Sequence, residues 1–398
     1  MRYIKPDYYD NFRCVAGECP DTCCAGWQIM IDEESLEKYS EAEGAFGRRL
    51  VSSIDWQEGC FYQYDRRCAF LNGENLCDLY TALGADALCN TCRNYPRHTE
   101  EYEGLRELSL SLSCPIAAQM ILLQEKFPVF AEYEDDKEEE LAEEFEEFDL
   151  LMFTQLEDAR TAVLRHLKEA KGSLEEKMEC YLQFARDMQA CIDEGEYFEV
   201  DSVIRGFEQE LVQEVSNKDV NCVETNDKEA DPGEKTEKEQ NTGSRENSTR
   251  FMHRKELYLH ILELERLREE WSEVLNGLNM LLYEKGEACY RAVLNDFKDF
   301  LTETPSAEKQ WETIGLQLFV FFLYTYFCGA VYDDRIYSKM ALAVESVRFI
   351  RELYLVRWLE KGCLEAEDYV EFAYRYAREI EHSDLNLETM EDFLENAK

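Results

Sequence analysis

The clustering of cysteines near the N-terminus constrains this chain more than any other feature. Ten of the sixteen cysteines lie at or before Cys114, and four of them share the eleven residues from Cys14 to Cys24. The N-terminal segment MRYIKPDYYD lacks the apolar run of a secretory signal, so we expect a cytoplasmic, reducing location. Thiols this dense in a reducing compartment predict metal binding or catalysis rather than disulfides.

The cysteines form two arrays, and their spacing narrows the kind of metal site. Sites made of thiolates with few histidines suit zinc or an iron–sulfur cluster. Cys89 and Cys92 make the only C-x2-C pair, so the paired knuckles of zinc ribbons are missing. The C-x3-C-x2-C spacing of radical enzymes is also missed, because Gly26 stands at its third position. We favour a [4Fe–4S] cluster and keep zinc as the alternative. The first array is Cys14, Cys19, Cys23 and Cys24, and the second is Cys68, Cys77, Cys89, Cys92 and Cys114.

The sequence around Cys114 predicts a helix start. Pro115 suits the first turn of a helix over Ile116–Glu125, which puts Cys114 at the N-cap. The positive end of a helix dipole favours a thiolate there, and the thiolate is the form that binds metal.

Composition excludes some partners. The formal net charge of −43 argues against nucleic acid, because binding to phosphates relies on clustered Lys and Arg. The longest apolar stretch, Ile314–Val331, contains polar residues and is short for a membrane span, so we expect a buried helix and no membrane partner.

Composition and periodicity divide the chain into four segments and predict a mainly α fold. An irregular Cys-rich module occupies residues 1–130, and an acidic helical segment follows at 131–216, opening with an amphipathic connector at 132–149. Residues 217–250 are polar and have few apolar side chains that a core could bury. This composition predicts a disordered linker or loop. The spacing of apolar side chains in residues 251–398 predicts an all-helical region without a parallel sheet. Two of the stripes predicted as core are Val344, Val347, Ile350 and Leu353, and Val370, Phe372, Tyr376 and Ile380.

Three motifs resemble the flagellin lysine-N-methylase family, which shares its cysteine pattern with a group of zinc- or iron-chelating proteins. They are FRCVAGECPDTCCAGWQIMID, CAFLNGENLCDLYTALGADALCNTCRNYPRH and LSLSCPIAAQMILL. The resemblance is dense up to about residue 125. It implies methyl transfer from S-adenosylmethionine to lysine ε-amines of flagellin in the cytoplasm.

Carried over residue by residue, the resemblance implies eight metal ligands. Cys60 has no counterpart in the family and Cys89 stands where the family tolerates Ser, so these two are the expected bystanders. Eight thiolates exceed the four ligands of one cluster, so either two sites exist or some thiols surround a single site. The eight are Cys14, Cys19, Cys23, Cys24, Cys68, Cys77, Cys92 and Cys114.

The catalytic residues and the donor site are not predicted by any motif. A methylase must deprotonate the lysine, and Asp21, Trp27 and Tyr95 are candidates for lining the channel, although packing around the cysteines is the preferred interpretation. No strand followed by a glycine-rich nucleotide turn occurs in the sequence. A non-enzymatic metal-chelating or iron–sulfur sensor, carrier or adaptor is therefore the competing hypothesis.

Overall fold

A computed structural model describes residues 1–135, 148–220 and 237–396, with side chains described outside 213–247. Most of these residues are helical, which confirms the predicted mainly α class. The contacts divide the chain into two compact units that do not follow the four consecutive segments predicted above. Unit 1 comprises Met1–Leu141, Glu265–Ser272 and Glu365–Leu387; unit 2 comprises Ala142–Leu264, Glu273–Leu364 and Glu388–Lys398.

A four-stranded sheet lies in unit 1, so the prediction of an irregular N-terminal module was wrong. Strand β1 (Arg2–Pro6) pairs parallel with β7 (Leu105–Leu110) and antiparallel with β8 (Phe130–Glu134). Strands β6 (Arg97–Tyr102) and β7 form a hairpin, so the order is β6-β7-β1-β8. The partners of β1 are about a hundred residues away in sequence, and β6 (RHTEEY) shows no apolar alternation, so local pattern could not indicate them.

Strand β8 occupies the beginning of the predicted acidic helical connector at 132–149. Its residues pair with β1 from Arg2–Glu134 to Pro6–Phe130, so sheet pairing overrides the helical pattern there. Residues 136–147, which include Leu141, Ala142 and Phe145 of the predicted apolar face, lie outside the described residues.

Two short hairpins and four short helices surround a second core in unit 1. Strand Ile54–Asp55 (β2) pairs with Cys60–Phe61 (β3), and Gln63–Tyr64 (β4) pairs with Arg67–Cys68 (β5). Ile29, Phe61, Phe70 and Leu79 are buried in this core. The helices are α1 Glu33–Ser40, α2 Gly44–Ser52, α3 Asp78–Leu83 and α4 Asn90–Asn94.

Helices from both ends of the sequence meet in unit 1. Helix α5 (Pro115–Leu122) begins one residue after Cys114, as predicted, and contacts helix α14 (Ala366–Glu381). Phe372, Tyr376 and Ile380 of α14 are buried, as their helical spacing predicts.

Helices account for the regular structure described in unit 2. Helix α13 (Ile336–Lys361) is buried over most of its length, and its buried residues include Val344, Val347, Ile350 and Leu353, the stripe predicted as core. The helices within or entering the unit are α6 Leu150–Glu169, α7 Leu174–Asp193, α8 Val200–Val220, α9 Glu237–Glu263, α10 Glu269–Leu278, α11 Glu287–Glu303, α12 Pro305–Tyr326, α13 Ile336–Lys361 and α15 Asp384–Asn396. Helices α8 and α9 enter the predicted linker at 217–250 from its two ends, and residues 221–236 lie outside the described residues.

Helix α12 and the 3-10 turn after it contain the apolar stretch noted in the sequence. The segment Pro305–Tyr332 is long and apolar enough to cross a membrane by length and composition, and 78% of its most apolar window is buried inside the protein. Phe319, Phe322 and Phe327 of this segment are among the largest fully buried side chains.

Unit 2 also buries a charged network. The Arg254 guanidinium, with 3% of its side chain exposed, forms ion pairs with Glu345 and Glu352. The hydroxyls of Tyr283 and Tyr290 each donate to Glu352 at 2.6 Å. Tyr283 lies in a π-helical turn, Asn279–Tyr283, that follows α10 directly.

Candidate functional site

The first cysteine loop is tied to the C-terminal helix of unit 1 through arginine. The Cys19 thiol donates to the backbone oxygen of Asp21, and the Asp21 carboxylate lies 2.5 Å from Nη1 of Arg378 on α14. Nε of the same arginine donates to the backbone oxygen of Ser113 at 2.9 Å, one residue before Cys114. Arg378 therefore joins the loop of the first array to the start of α5.

Four predicted ligands share one electrostatic environment: Cys14, Cys19, Cys23 and Cys114. Burial raises the pKa of the Cys19 thiol, and Cys23 and Cys14 raise it further. Burial also raises the pKa of Cys114 to about 12, with smaller contributions from Cys19 and Cys23. Desolvation of the charged form outweighs the N–H donors of the helix start, so the Cys114 thiol gives up its proton less readily than the N-cap position alone would predict.

The other four predicted ligands lie in the core beside the hairpins, together with Cys89. The backbone N–H of Cys68 donates to the carbonyl of Cys24 at 2.9 Å, which joins the two arrays directly. Cys89, which the family resemblance leaves out of the ligands, is hydrogen-bonded to Cys92 and belongs to this group. The members that pack on the same buried cluster are Cys24, Cys68, Cys77, Cys89 and Cys92.

The two groups match a metal centre in donor type. No three His, Cys, Asp or Glu side chains in the described parts of the chain form a ready-made set of metal ligands. The candidate ligand atoms are nonetheless all cysteine sulfurs, which bind thiophilic metals and iron–sulfur clusters. Metal binding would displace the thiol protons. Cys60, the other expected bystander, accepts a hydrogen bond from Gln28 at 3.1 Å and lies outside both groups.

The three candidate channel residues have different surroundings. The Tyr95 hydroxyl lies 3.0 Å from the Ser113 hydroxyl, and Asp21 pairs with Arg378, so both have structural contacts. Trp27 donates from its indole N–H to the Cys23 carbonyl at 2.7 Å and stacks on the His382 ring at a centroid distance of 4.6 Å. Of the three, Trp27 lines the larger of the two cavities described below.

A small cavity lies beside the arginine bridge. Its volume is about 180 Å³, and its lining includes Asp21, Arg268, Trp271, Tyr374 and Arg378. The Arg268 side chain donates to the Thr22 carbonyl at 3.0 Å, so it holds the same loop as Arg378. Because Asp21 already pairs with both Arg268 and Arg378, we assign this cavity no ligand.

A larger cavity of about 880 Å³ lies between the β3–β4 region and the end of α14. Burial raises the pKa of Glu381 to about 7, although the Ser111 hydroxyl and the Ser113 N–H donate to it. Burial lowers the pKa of His382 to about 3, and the nearby arginines lower it further, so the imidazole is neutral. Sequence reasoning missed both residues, because the segment EIEHSD has no motif and its position in the cavity depends on where α14 packs. The lining includes Trp27, Gln28, Cys60, Glu381 and His382.

Comparison with known families gives a match over most of the C-terminal part. Residues 160–398 match the family model described as "FliB lysine N-methylase C-terminal domain", which is more than half of the chain. No solved structure matches the fold of this chain.

Individual relatives match over a shorter stretch. The Flagellar biosynthetic protein FliU of Salmonella muenchen is 31% identical over 127 residues, covering 30% of this chain and 75% of the relative. The Lysine-N-methylase of Salmonella choleraesuis (strain SC-B67) is 30% identical over 127 residues, and that of Salmonella typhimurium (strain LT2) is equally similar. The match covers about a third (32%) of the length of each lysine-N-methylase.

Proposed function

Since the chain belongs to the FliB lysine N-methylase family, we propose that it transfers methyl groups from S-adenosylmethionine to lysine ε-amines of a flagellar protein, with flagellin as the substrate. The family match over residues 160–398 is the observation that carries the proposal. The lysine-N-methylase and flagellar names of the relatives support the reaction and the flagellar substrate. The reaction takes place in the cytoplasm, where the thiols of unit 1 stay reduced.

The reaction makes two physical demands on the protein. The ε-ammonium must lose a proton before it attacks, so the site needs a carboxylate or another base in a partly desolvated cavity. The cationic ammonium must also be attracted to the site. An acidic chain with 86 Asp and Glu against 43 Lys and Arg attracts a basic segment over long range.

We assign the cysteines to a [4Fe–4S] centre, with zinc as the alternative metal. The two thiol groups meet at the hydrogen bond between Cys23 and Cys24. Because eight thiolates exceed the four ligands of one cluster, we assign two neighbouring sites: Cys14, Cys19, Cys23 and Cys114 would hold one, and Cys24, Cys68, Cys77 and Cys92 the other. A bound metal would crosslink loops that are distant in sequence. It would also stabilise the fold of unit 1, because the free energy of metal binding adds to the free energy of folding. Arg378 places a positive charge beside the first group and partly offsets the charge of its thiolates.

A non-enzymatic metal-binding adaptor is the second candidate, favoured by the lack of a glycine-rich nucleotide turn in the sequence. Both candidates are tested by incubating the anaerobically purified full-length chain with methyl-labelled S-adenosylmethionine and flagellin from the same organism. Mass spectrometry should locate methyl-lysine on flagellin. Flagellin whose exposed lysines have been acetylated is the control. A metal-loaded protein that binds flagellin without transferring label would contradict the enzyme and support the adaptor.

Iron, acid-labile sulfide and zinc analysis of the same preparation tests the metal. We expect iron and sulfide in equal amounts with a visible absorbance band. A colourless protein with stoichiometric zinc would overturn the cluster and leave the methyl transfer to be judged by its own assay.

A further inference from the structure

The lining of the larger cavity of unit 1 includes a carboxylate oxygen and an imidazole nitrogen that are buried without a hydrogen-bond partner. These are Oε1 of Glu381 and Nε2 of His382, and neither has a partner among the described residues. The other carboxylate oxygen of Glu381 is held by Ser111 and Ser113, which orients the side chain. A buried acceptor without a donor costs free energy, so a ligand that supplies N–H groups gains by filling the site.

The lining of the cavity also has an aromatic part, in which the Trp27 and His382 rings stack on each other. The Trp27 indole is held by its hydrogen bond to the Cys23 carbonyl, and the Gln63 amide holds the Trp27 backbone by donating to its carbonyl. The Tyr95 ring packs beside it at 5.9 Å and the His382 ring at 4.6 Å. Aromatic rings of this kind pack well against the aliphatic part of a lysine and attract its cationic end.

The charges around the cavity favour a cation. Four carboxyl groups and two arginines line it, an excess of acidic side chains. The Arg66 guanidinium donates a hydrogen bond to the backbone carbonyl of Arg266, so this cationic group already has an acceptor. An amine ligand would face the carboxyl groups, which are Asp55, Glu265, Glu381 and Asp384.

We propose that this cavity receives the substrate lysine, with Glu381 as the carboxylate that takes its proton and the Trp27 and His382 rings as the wall along its aliphatic chain. The inference rests on the proposed function for the identity of the reaction. Its own claim is narrower: the cavity binds the side chain of lysine, a primary alkylamine, in a basic protein segment.

The chemical step balances with the residues present and the proposed donor. The ε-ammonium gives one proton to Oε1 of Glu381 and becomes a neutral amine. Its lone pair forms the new N–C bond to the donor methyl group as the C–S bond breaks, and that electron pair leaves on sulfur as a neutral thioether. The methylated ammonium and the protonated carboxyl then release their extra protons to solvent.

Calorimetric titration of the full-length chain with Nα-acetyl-lysine-N-methylamide tests the site without methyl transfer. The isosteric norleucine compound, which lacks the amine, should bind at least about tenfold more weakly. Glu381→Gln keeps the shape and an acceptor for Ser111, and should weaken lysine binding by about tenfold or more. The matched control is Glu367→Gln, an exposed position in the first turn of the same helix that does not line the cavity.

The outcomes separate this site from the proposed function. Equal binding of the two compounds, no binding of either, or equal effects of Glu381→Gln and Glu367→Gln would overturn the lysine cavity. Binding that depends on Glu381 without any methyl transfer to flagellin would support the cavity and contradict the enzyme. Transfer that is unaffected by Glu381→Gln would support the enzyme and contradict the cavity.

Discussion

The buried ion pairs of Arg254 give the sharpest prediction about stability. Replacing Arg254 with Met keeps an unbranched apolar chain but removes the charge that faces Glu345 and Glu352, whose side chains are 3% and 5% exposed. Removing one partner of a buried ion pair typically costs about 3–5 kcal/mol, because the remaining charge is left buried.

The other hydrogen-bond and ion-pair partners of the two carboxylates decide where in that range the loss of stability falls. Glu345 keeps the Arg348 guanidinium at 2.8 Å, and Glu352 keeps the donors of Tyr283 and Tyr290. We therefore expect the lower end, about 3 kcal/mol. For a helical unit of this size that corresponds to a fall in melting temperature of roughly 6–12 °C.

Urea unfolding followed by circular dichroism measures this change, with Arg250→Met as the control. Arg250 also pairs with a carboxylate, Glu175, but its side chain is 49% exposed, so its loss should cost under about 1 kcal/mol. Equal losses of stability in the two variants would refute the argument that burial sets the cost.

The pH dependence of the same variant provides a second check. Burial opposes the ionisation of Glu345, but Arg254 outweighs it and holds the pKa of that carboxyl well below 4.5. A depressed carboxyl pKa contributes stability above the unfolded value, and this contribution is lost as the pH falls. The difference between wild type and Arg254→Met should therefore be largest near neutral pH and shrink below about pH 4.5. A difference that does not change with pH would contradict the electrostatic origin.

Three further predictions concern individual side chains. Cys114→Ser should remove about half of the bound iron, since only one of two thiol groups is broken, whereas Cys60→Ser should leave iron content unchanged; metal analysis distinguishes the two. Tyr283→Phe should cost about 1.5–3 kcal/mol in urea unfolding, because it removes a hydrogen bond to a buried carboxylate, and a change within about 0.5 kcal/mol would contradict this. Gly26→Ala should destabilise unit 1 by about 1–3 kcal/mol, because Gly26 has φ +91° and an added Cβ would lie 2.4 Å from an Arg268 side-chain atom; unchanged thermal unfolding would contradict it.

The amino-acid sequence by itself determined the helical class and the cysteine-rich nature of the N-terminal part. Local periodicity predicted the buried stripe of α13, and Pro115 marked the start of α5, because both signals depend on near neighbours in the chain. The eight candidate ligands were also selected from sequence. Their role in metal binding stays a prediction.

Only the tertiary structure decided the sheet, the grouping of the cysteines and the composition of the larger cavity. Strand β1 finds its partners about a hundred residues away, and Glu381 and His382 reach Trp27 only because α14 packs in unit 1 with the cysteine loops. Burial then raises the pKa of the Cys114 thiol and that of the Glu381 carboxyl. These properties come from contacts between distant segments and from exclusion of water, neither of which is encoded in local spacing.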